Sequence, residues 1–479
     1  ESLADRVMTG FGGVAEYGIT VRWDKNFLKL ILISLLRKSH FQLFGSIRFG
    51  GTLTIEDAWQ MGFDHLAIAV GAGLPKELMI PNSLAPGMRQ ANDFLMALQL
   101  TGAAKQHSLA SLQVRLPAVV IGGGLTGIDA ATEVQAYYLV QIERTSRRYY
   151  ALVDAYGLGA VRCRFDQADL SVLDEMLRHA EELAVARVEA EQSGLALDTI
   201  GLIRRWGGVT VVYRRSMQES PAYQRNHEEL SKALEEGIYY AEGLNPETVI
   251  LDEHGHVKAL QCQSRIQDEE GRWMLADERH VVPARTILVA TGAKPNVAYA
   301  FEHKNAIIRR QFEYARFDWV EQQLVANTEL GHVKTPSFGP FTSYERDHQF
   351  VSFLGDTHPV FHGSVVNAIA SAKRVYPHIV AILQDKLSSP LPDDYSHFAQ
   401  RMEHQLRSYV VAVQSKTKEL IELRVRSPQA AQQCHPGQFF RLQTYESQVN
   451  TVVDTPLHME ALSAIAISEP SKPDELRFV

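Results

Sequence analysis

Ala118–Gly127 reads AVVIGGGLTG, and Ile128 opens a run that places Ala130, Ala131 and Val134 on one helical face. Four consecutive apolar residues predict a short buried strand, and the run after Gly127 predicts a helix. A Gly-x-Gly-x-x-Gly turn between a strand and a helix is the context of a dinucleotide-binding fingerprint. Gly122 permits the tight turn, Gly124 lets the backbone approach a pyrophosphate, and Gly127 lets helix and strand pack closely. Leu125 and Thr126 lie at the helix start, where exposed N–H groups meet phosphate charge. The competing reading is a glycine turn with a purely structural role.

In such a fold the next parallel strand follows within about 20 to 30 residues. Here the next strong β-run is Val209–Tyr213 (VTVVY), far downstream. The charged, helix-rich stretch between them reads as an insertion over residues 135–197, a helical hairpin that interrupts the first helix. Leu197–Trp206 would then complete that helix, and Gly207-Gly208 would turn it into the strand. Arg214 and Arg215 follow the strand directly. At that position an acidic residue suits the ribose 2′-hydroxyl of NAD, whereas arginine accommodates the 2′-phosphate of NADP. Two guanidiniums offer bidentate geometry to a phosphate dianion. A solvated basic pair is the plain alternative.

Working outward, Asp64–Gly71 reads as a buried strand, Pro75–Arg89 as loop and Ala91–Ala104 as helix. Asn226–Glu236 is a helix stopped by Gly237, a normal C-terminal signal. Thr248–Asp252 and Val257–Ser264 flank a hairpin turn. Thr286–Ala290 is another buried strand and ends in Thr291-Gly292; Phe350–Leu354 ends in Gly355-Asp356, with a helix expected from Ser364 to Tyr376. Residues 387–396 are rich in Pro, Ser and Asp and read as linker. Tyr409–Arg426 and Phe439–Thr444 read as strands, split by Pro436-Gly437.

The 479 residues are 45% apolar and 22% charged, which excludes a largely disordered chain. With 48 basic and 56 acidic residues the net charge is −8, so nucleic acid is not expected as a partner. The 3 cysteines, Cys163, Cys262 and Cys434, are scattered without a CxxC spacing, and no metal site is expected. Their sparse, odd count fits a reducing, cytoplasmic compartment. The most apolar window, Phe27–Leu36 (FLKLILISLL), is too short to span a bilayer and reads as a buried amphipathic helix. The start at Glu1 and the end at Val479 suggest a piece of something longer. His358 and His362 have an i, i+4 spacing, but Pro359 argues against a helix, so they read as loop histidines. Ser216 lacks a nucleophile-elbow context, and no catalytic residue is assigned.

Several motifs in order carry a family resemblance. Gly122–Glu133 (GGGLTGIDAATE), Val209–Ala222 (VTVVYRRSMQESPA) and Glu235-Glu236-Gly237 followed by Asn245-Pro246 resemble the small subunit of NADPH-dependent glutamate synthase. The NADPH/FAD portion of dihydropyrimidine dehydrogenase has the same pattern. Gly12-Gly13 opens a segment, GGVAEYGI, that resembles the family's flavin-facing GGxPxYGIP without its first proline. Phe63–Gly73 resembles a later FAD-domain strand. Ala290-Thr291-Gly292-x-x-Pro295-Asn296 resembles the strand returning from the NADPH domain. Gly355-Asp356 and the helix opening at Ser364-Val365 resemble the second FAD motif. The family's first FAD glycine turn and its cysteine-rich iron–sulfur region are absent from these residues. Tyr409–Pro428 and Pro436-Gly437-Gln438-Phe439 resemble the opening strands of a ferredoxin reductase-type FAD barrel, as in electron-transfer subunits of dihydroorotate dehydrogenase.

The resemblance implies an α/β fold with two interleaved Rossmann-like dinucleotide-binding domains and a partial β-barrel. The FAD-binding domain would be 1–111 and 296–386, incomplete at its N-terminus. The NADPH-binding domain would be 112–295, with a linker at 387–407 and the start of the barrel at 408–479. It also implies the cofactors FAD and NADPH, with hydride passing from NADPH to FAD and electrons onward to another protein domain or subunit. The cofactors carry such chemistry, so no protein general base is required. Two alternatives stay open. One is the reductase portion of a pyrimidine or dihydroorotate dehydrogenase-type system; the other is a docking subunit that has lost FAD.

Overall fold

The computed structural model describes Leu3 and residues 27–105, 108, 110, 112–387, 392–442, 451–452, 455–456, 462–469 and 471–479. Gly12 and Gly13 lie outside the described residues. The chain is α/β and divides into two compact units: residues 1–32, 75–292 and 443–461 form one, and 33–74, 293–442 and 462–479 the other.

The first unit is built on a parallel sheet of five short strands. In chain order these are β1 (Met88–Gln90), β2 (Ala118–Ile121), β3 (Val209–Val212), β4 (Tyr239–Ala241) and β5 (Thr286–Val289), arranged β1-β5-β2-β3-β4. Every residue of β2 and β5 is buried. The reason is that both sheet faces are covered. Ala118, Val120, Val209, Val211 and Leu288 face one core with the helices, while Val119, Ile121, Val212 and Ile287 face another. That second core is closed by an antiparallel meander of Leu244–Leu251, Val257–Gln267 and Trp273–Pro283. Met88–Gln90, at the end of the stretch Pro75–Arg89 expected as loop, pairs with β5 as an edge strand. Three residues with one arginine give no apolar run to read.

The helices of this unit are α1 (Leu125–Tyr156), α2 (Gln167–Ser193), α3 (Thr199–Arg205) and α4 (Pro221–Glu235). The first is not interrupted at Gln135. Tyr137, Tyr138, Gln141, Ile142 and Tyr149 keep a buried stripe at helical spacing, and no Gly or Pro intervenes before Gly157. Nor does Leu197–Trp206 complete it: α3 is a separate helix whose N-cap, Asp198, accepts from the Gly201 N–H. The return helix α2 is held to α1 by a buried polar cluster. Tyr138 Oη lies 2.6 Å from His179 Nδ1, and Arg178 Nη2 lies 2.8 Å from His179 Nε2. Arginine only donates, so Nε2 accepts and the neutral ring carries its proton on Nδ1. Trp206 stacks on His179 at 4.5 Å and donates to Glu182 at 2.6 Å.

In the second unit, Leu66–Ile68 pairs in parallel with Gln349–Phe353, and the sheet continues antiparallel through Phe341–Arg346, Arg316–Val320 and Gln323–Asn327. Its core includes Ile55, Ile68, Tyr299, Tyr344, Val351 and Phe353. The expected linker at 387–407 is mostly helix, Pro392–Leu406, which buries Met402 and Leu406 against Met61. Pro392 opens the helix, a position that suits proline. The C-terminal strands form an open antiparallel sheet in the order Tyr409–Ser415, Ile421–Arg426, Lys472–Phe478, Leu462–Glu469, Phe439–Leu442, with no closed barrel among the described residues. Leu28–Leu36 is helical, but it is not the expected buried helix, for none of its residues is buried. No helix among the described residues is long and apolar enough to cross a membrane.

Two buried histidines, His179 and His358, and the half-buried His65 make stability depend on pH. Burial holds His65 and His179 down to about 4 and His358 to about 3. In the unfolded chain each protonates near 6.5, so the unfolded state binds more protons between these values and gains stability as pH falls. The folded state should therefore lose stability progressively from pH 6.5 toward pH 4, by up to about 2 kcal/mol per histidine at pH 5. Denaturant unfolding at pH 7 and pH 5 measures this. His358→Gln should flatten part of the slope, and an unchanged slope would discount His358.

Candidate functional site

The glycine turn is shaped by contacts that no side chain tolerates. A Cβ on Gly122, whose φ is +136°, would lie 2.2 Å from the Ala290 carbonyl oxygen. A Cβ on Gly127 would lie 2.3 Å from the Gly122 carbonyl oxygen. These two positions let α1 descend onto β2 while β5 runs alongside. Gly124 differs: nothing lies within 4 Å of its would-be Cβ, and its φ of −89° suits any residue. Gly124 is the N-cap of α1 and supplies no side chain to satisfy the first-turn N–H groups. By contrast Asp166, Asp198 and Ser220 each cap their helices with a side-chain oxygen. At α1 no side chain caps the first turn, where Gly127 N–H donates to the Gly124 carbonyl at 2.9 Å, and the positive helix end lies beside Leu125 and Thr126.

Neighbouring strand ends complete the site. Gly122 N–H donates to Val212 at 3.0 Å, and Ala290 N–H donates to Ile121 at 2.8 Å, so β3 and β5 end level with the turn. Ala222 at the start of α4 donates to Gly123 at 3.0 Å. Thr291 Oγ1 donates to the Lys76 carbonyl at 3.0 Å, and Lys76 N–H returns a bond to the Gly292 carbonyl at 2.9 Å. Gly122–Gly127, Ala290–Gly292, Arg214 and Arg215 thus share the carboxyl edge of one parallel sheet, where open α/β sheets bind ligands. Both arginines are exposed. Among the described residues neither forms an ion pair with a carboxylate.

Several participants escaped the sequence. The Tyr213 ring packs on Gly123, where a Cβ would come within 2.6 Å of it. Glu219 receives Ser216 Oγ at 2.7 Å and Trp273 Nε1 at 2.9 Å, bracing the loop after Arg215. These bonds, that to Ser216 foremost, hold its carboxyl below the usual range. Arg265, on the meander strand Val257–Gln267, reaches the Arg214 carbonyl with Nη1 at 3.3 Å. Trp273 and Arg265 lie in an ordinary-looking hairpin, and only folding brings them to the arginine loop.

In the second unit lies the turn that the resemblance likens to a second FAD motif. Gly355–Thr357 forms a tight turn after Gln349–Phe353, and Gly71 N–H donates to Thr357 Oγ1 at 3.0 Å. Asp356 accepts from Gly363 N–H at 2.7 Å, and Ser364 caps the helix Val365–Ile382. Val365 and Val366 at its first turn are 59% and 76% exposed. His358 lies buried beneath this turn and bonds the Gly339 carbonyl at 3.0 Å, while exposed His362 bonds its own loop at Pro359. Among the described residues no group of three or more His, Cys, Asp or Glu is placed to hold a metal ion.

No protein-family model matches the chain. The uncharacterized protein RP006 of Rickettsia prowazekii (strain Madrid E) is 33% identical over 454 residues, covering 94% of this chain and 56% of that protein. The chain thus spans little more than half the length of that relative. Among solved structures, FprA of Mycobacterium tuberculosis in complex with NADPH has 15% identity and a TM-score of 0.44, covering 83% of this chain and 82% of its own. The ferredoxin reductase for the CYP199A2 system of Rhodopseudomonas palustris has 13% identity and a TM-score of 0.30, covering 87% and 67%. With identities and scores this low, a functional assignment has to rest on the geometry of the site.

The glycines separate fold from binding. Gly124→Ala should leave the thermal midpoint nearly unchanged, since the methyl group meets nothing, yet block the approach of a phosphate to the helix end. Gly122→Ala should destabilise the fold by about 2–4 kcal/mol through its backbone clash. Thermal unfolding paired with nucleotide titration checks both; a Gly124→Ala variant that binds nucleotide as the parent does would remove the turn from the site.

Proposed function

We propose that the chain is the pyridine-nucleotide-handling part of a flavin oxidoreductase that takes hydride from NADPH. The observation that carries this is the uncapped N-terminus of α1 at the Gly122–Gly127 turn, with Arg214 and Arg215 at the end of the neighbouring strand. The turn would hold the pyrophosphate with backbone N–H groups and the helix dipole. The two arginines would grip the 2′-phosphate with charge-assisted hydrogen bonds and so favour NADPH over NADH. Ala290, Thr291 and Gly292 border the same edge.

The second unit fits a flavin. The first turn of Val365–Ile382 offers exposed apolar side chains beside a positive helix end, and Gly71 has open space at its would-be Cβ. Gly355, Asp356, Ser364 and Val365 would line FAD, with Asp356 accepting from its ribityl or pyrophosphate region and the helix end stabilising negative charge on the reduced ring. When bound, FAD supplies the two-electron acceptor for NADPH and the donor for a partner protein or domain. Within this reading the order of motifs supports a glutamate synthase small-subunit type, in the cytoplasm. The open antiparallel sheet of Tyr409–Phe478 favours a second form, in which the chain serves a dihydroorotate dehydrogenase-type system.

Isothermal titration with NADPH and NADH tests the nucleotide assignment. The double variant Arg214→Ala/Arg215→Ala should weaken NADPH by roughly ten- to a hundredfold and leave NADH within a few-fold. Equal loss of both nucleotides would refute it. Titration of FAD, followed by quenching of its fluorescence, tests the second unit.

A further inference from the structure

Arg265 stands apart from the other arginines of the nucleotide unit by what surrounds it. Its guanidinium is fixed by two backbone carbonyls: Nη1 donates to Arg214 at 3.3 Å and Nη2 donates to Trp273 at 2.9 Å. Its backbone joins the same loop, because Arg265 N–H donates to Gly243 at 2.6 Å and Gly243 N–H donates to Arg215 at 3.2 Å. The meander strand is therefore tied to the turn that follows β3. Burial and the nearby Arg214 and Arg215 guanidiniums all press its pKa down. Among the described residues no carboxylate forms an ion pair with Arg214, Arg215 or Arg265. Glu219 on the same loop accepts from Ser216 and Trp273, and its charge also acts on Arg215.

The three like-charged guanidiniums repel one another, an effect that Glu219 offsets only at Arg215, and the arrangement is stabilised when a multivalent anion joins it. Arg265 spends two of its five N–H donors on carbonyls and keeps three for such an anion. Its fork is already held, so little side-chain entropy is lost on binding. We propose that Arg265 is a specificity-determining residue, the third guanidinium of a 2′-phosphate site whose other two are Arg214 and Arg215. This rests on the proposed dinucleotide assignment and extends the site from the Rossmann-like strand to the meander. A ligand carrying a phosphomonoester on the adenosine 2′-oxygen would be recognised, and one with a free 2′-hydroxyl would not.

The test is isothermal titration of the full chain with NADPH, NADH, adenosine 2′,5′-bisphosphate and 5′-AMP. Arg265→Gln should weaken NADPH and the bisphosphate about tenfold or more and leave NADH and 5′-AMP within about twofold. Arg265→Lys keeps the charge but lacks the fork that serves both a carbonyl and a phosphate, so it should lose part of the same preference. It provides the measurement should the glutamine variant fail to fold. Equal weakening of all four ligands, or full preference for NADPH in the lysine variant, would overturn the proposal. If Arg214→Ala/Arg215→Ala loses NADPH preference while Arg265→Gln keeps it, the third-arginine proposal falls and the nucleotide assignment stands. If the parent chain itself shows no preference for the 2′-phosphate, both fall.

Discussion

The close approach of three backbone segments at Gly122, Gly127 and Ala290 is the constraint on which the first unit turns. The would-be Cβ distances of 2.2 and 2.3 Å show that no side chain fits at either glycine. Because the backbones meet there, α1 starts directly above the end of β2, with β5 against its other side. That contact sets the position of the helix dipole and of the uncapped N–H groups, and it aligns the strand ends on which Arg214 and Thr291 sit. A glycine at Gly124 answers a different demand. It fills no tight space within the fold and leaves room where a ligand's phosphate would come.

The two faces of the parallel sheet are covered in different ways, and each covering has a consequence. On one face the long α1 and its return partner α2 bury Tyr137, Tyr138 and Ile142 and lock His179 between Tyr138 and Trp206. Such a neutral, fully partnered histidine specifies the packing at the cost of acid sensitivity. On the other face the antiparallel meander closes an apolar core of Val249, Val257, Leu260 and Cys262. Its edge then carries Arg265 and Trp273 to the arginine loop. A covering element thus also shapes the electrostatics of the site.

In the second unit, the turn at Gly355–Thr357 depends on bonds from several directions. Gly71 reaches Thr357, Ser371 Oγ accepts from Gly355 N–H at 2.8 Å, and Asp356 receives Gly363. His358 fills the space below, stacked on Phe353 at 4.3 Å and bonded to Gly339. Burial in this aromatic setting keeps its imidazole neutral.

Local signals were enough for the glycine turn, the strands at 118–121, 209–212 and 286–289, and the arginine pair. Each depends on neighbours in sequence: an apolar run, a glycine spacing, a charge placed at a strand end. The α/β class came from the family resemblance that these motifs carry. Other features depend on distant partners. Met88–Gln90 is a strand because β5 offers it a ladder, and α1 runs through Gln135 because α2 covers its stripe of tyrosines. The helix at 392–406 is fixed by Met61, more than three hundred residues away in the chain. Arg265 has no motif around it and gains its place only when the meander folds back on the loop after β3. Residue spacing reports periodicity and turn chemistry, which are local; the pairing of edges and the gathering of like charges are decided by contacts that form only in the folded chain.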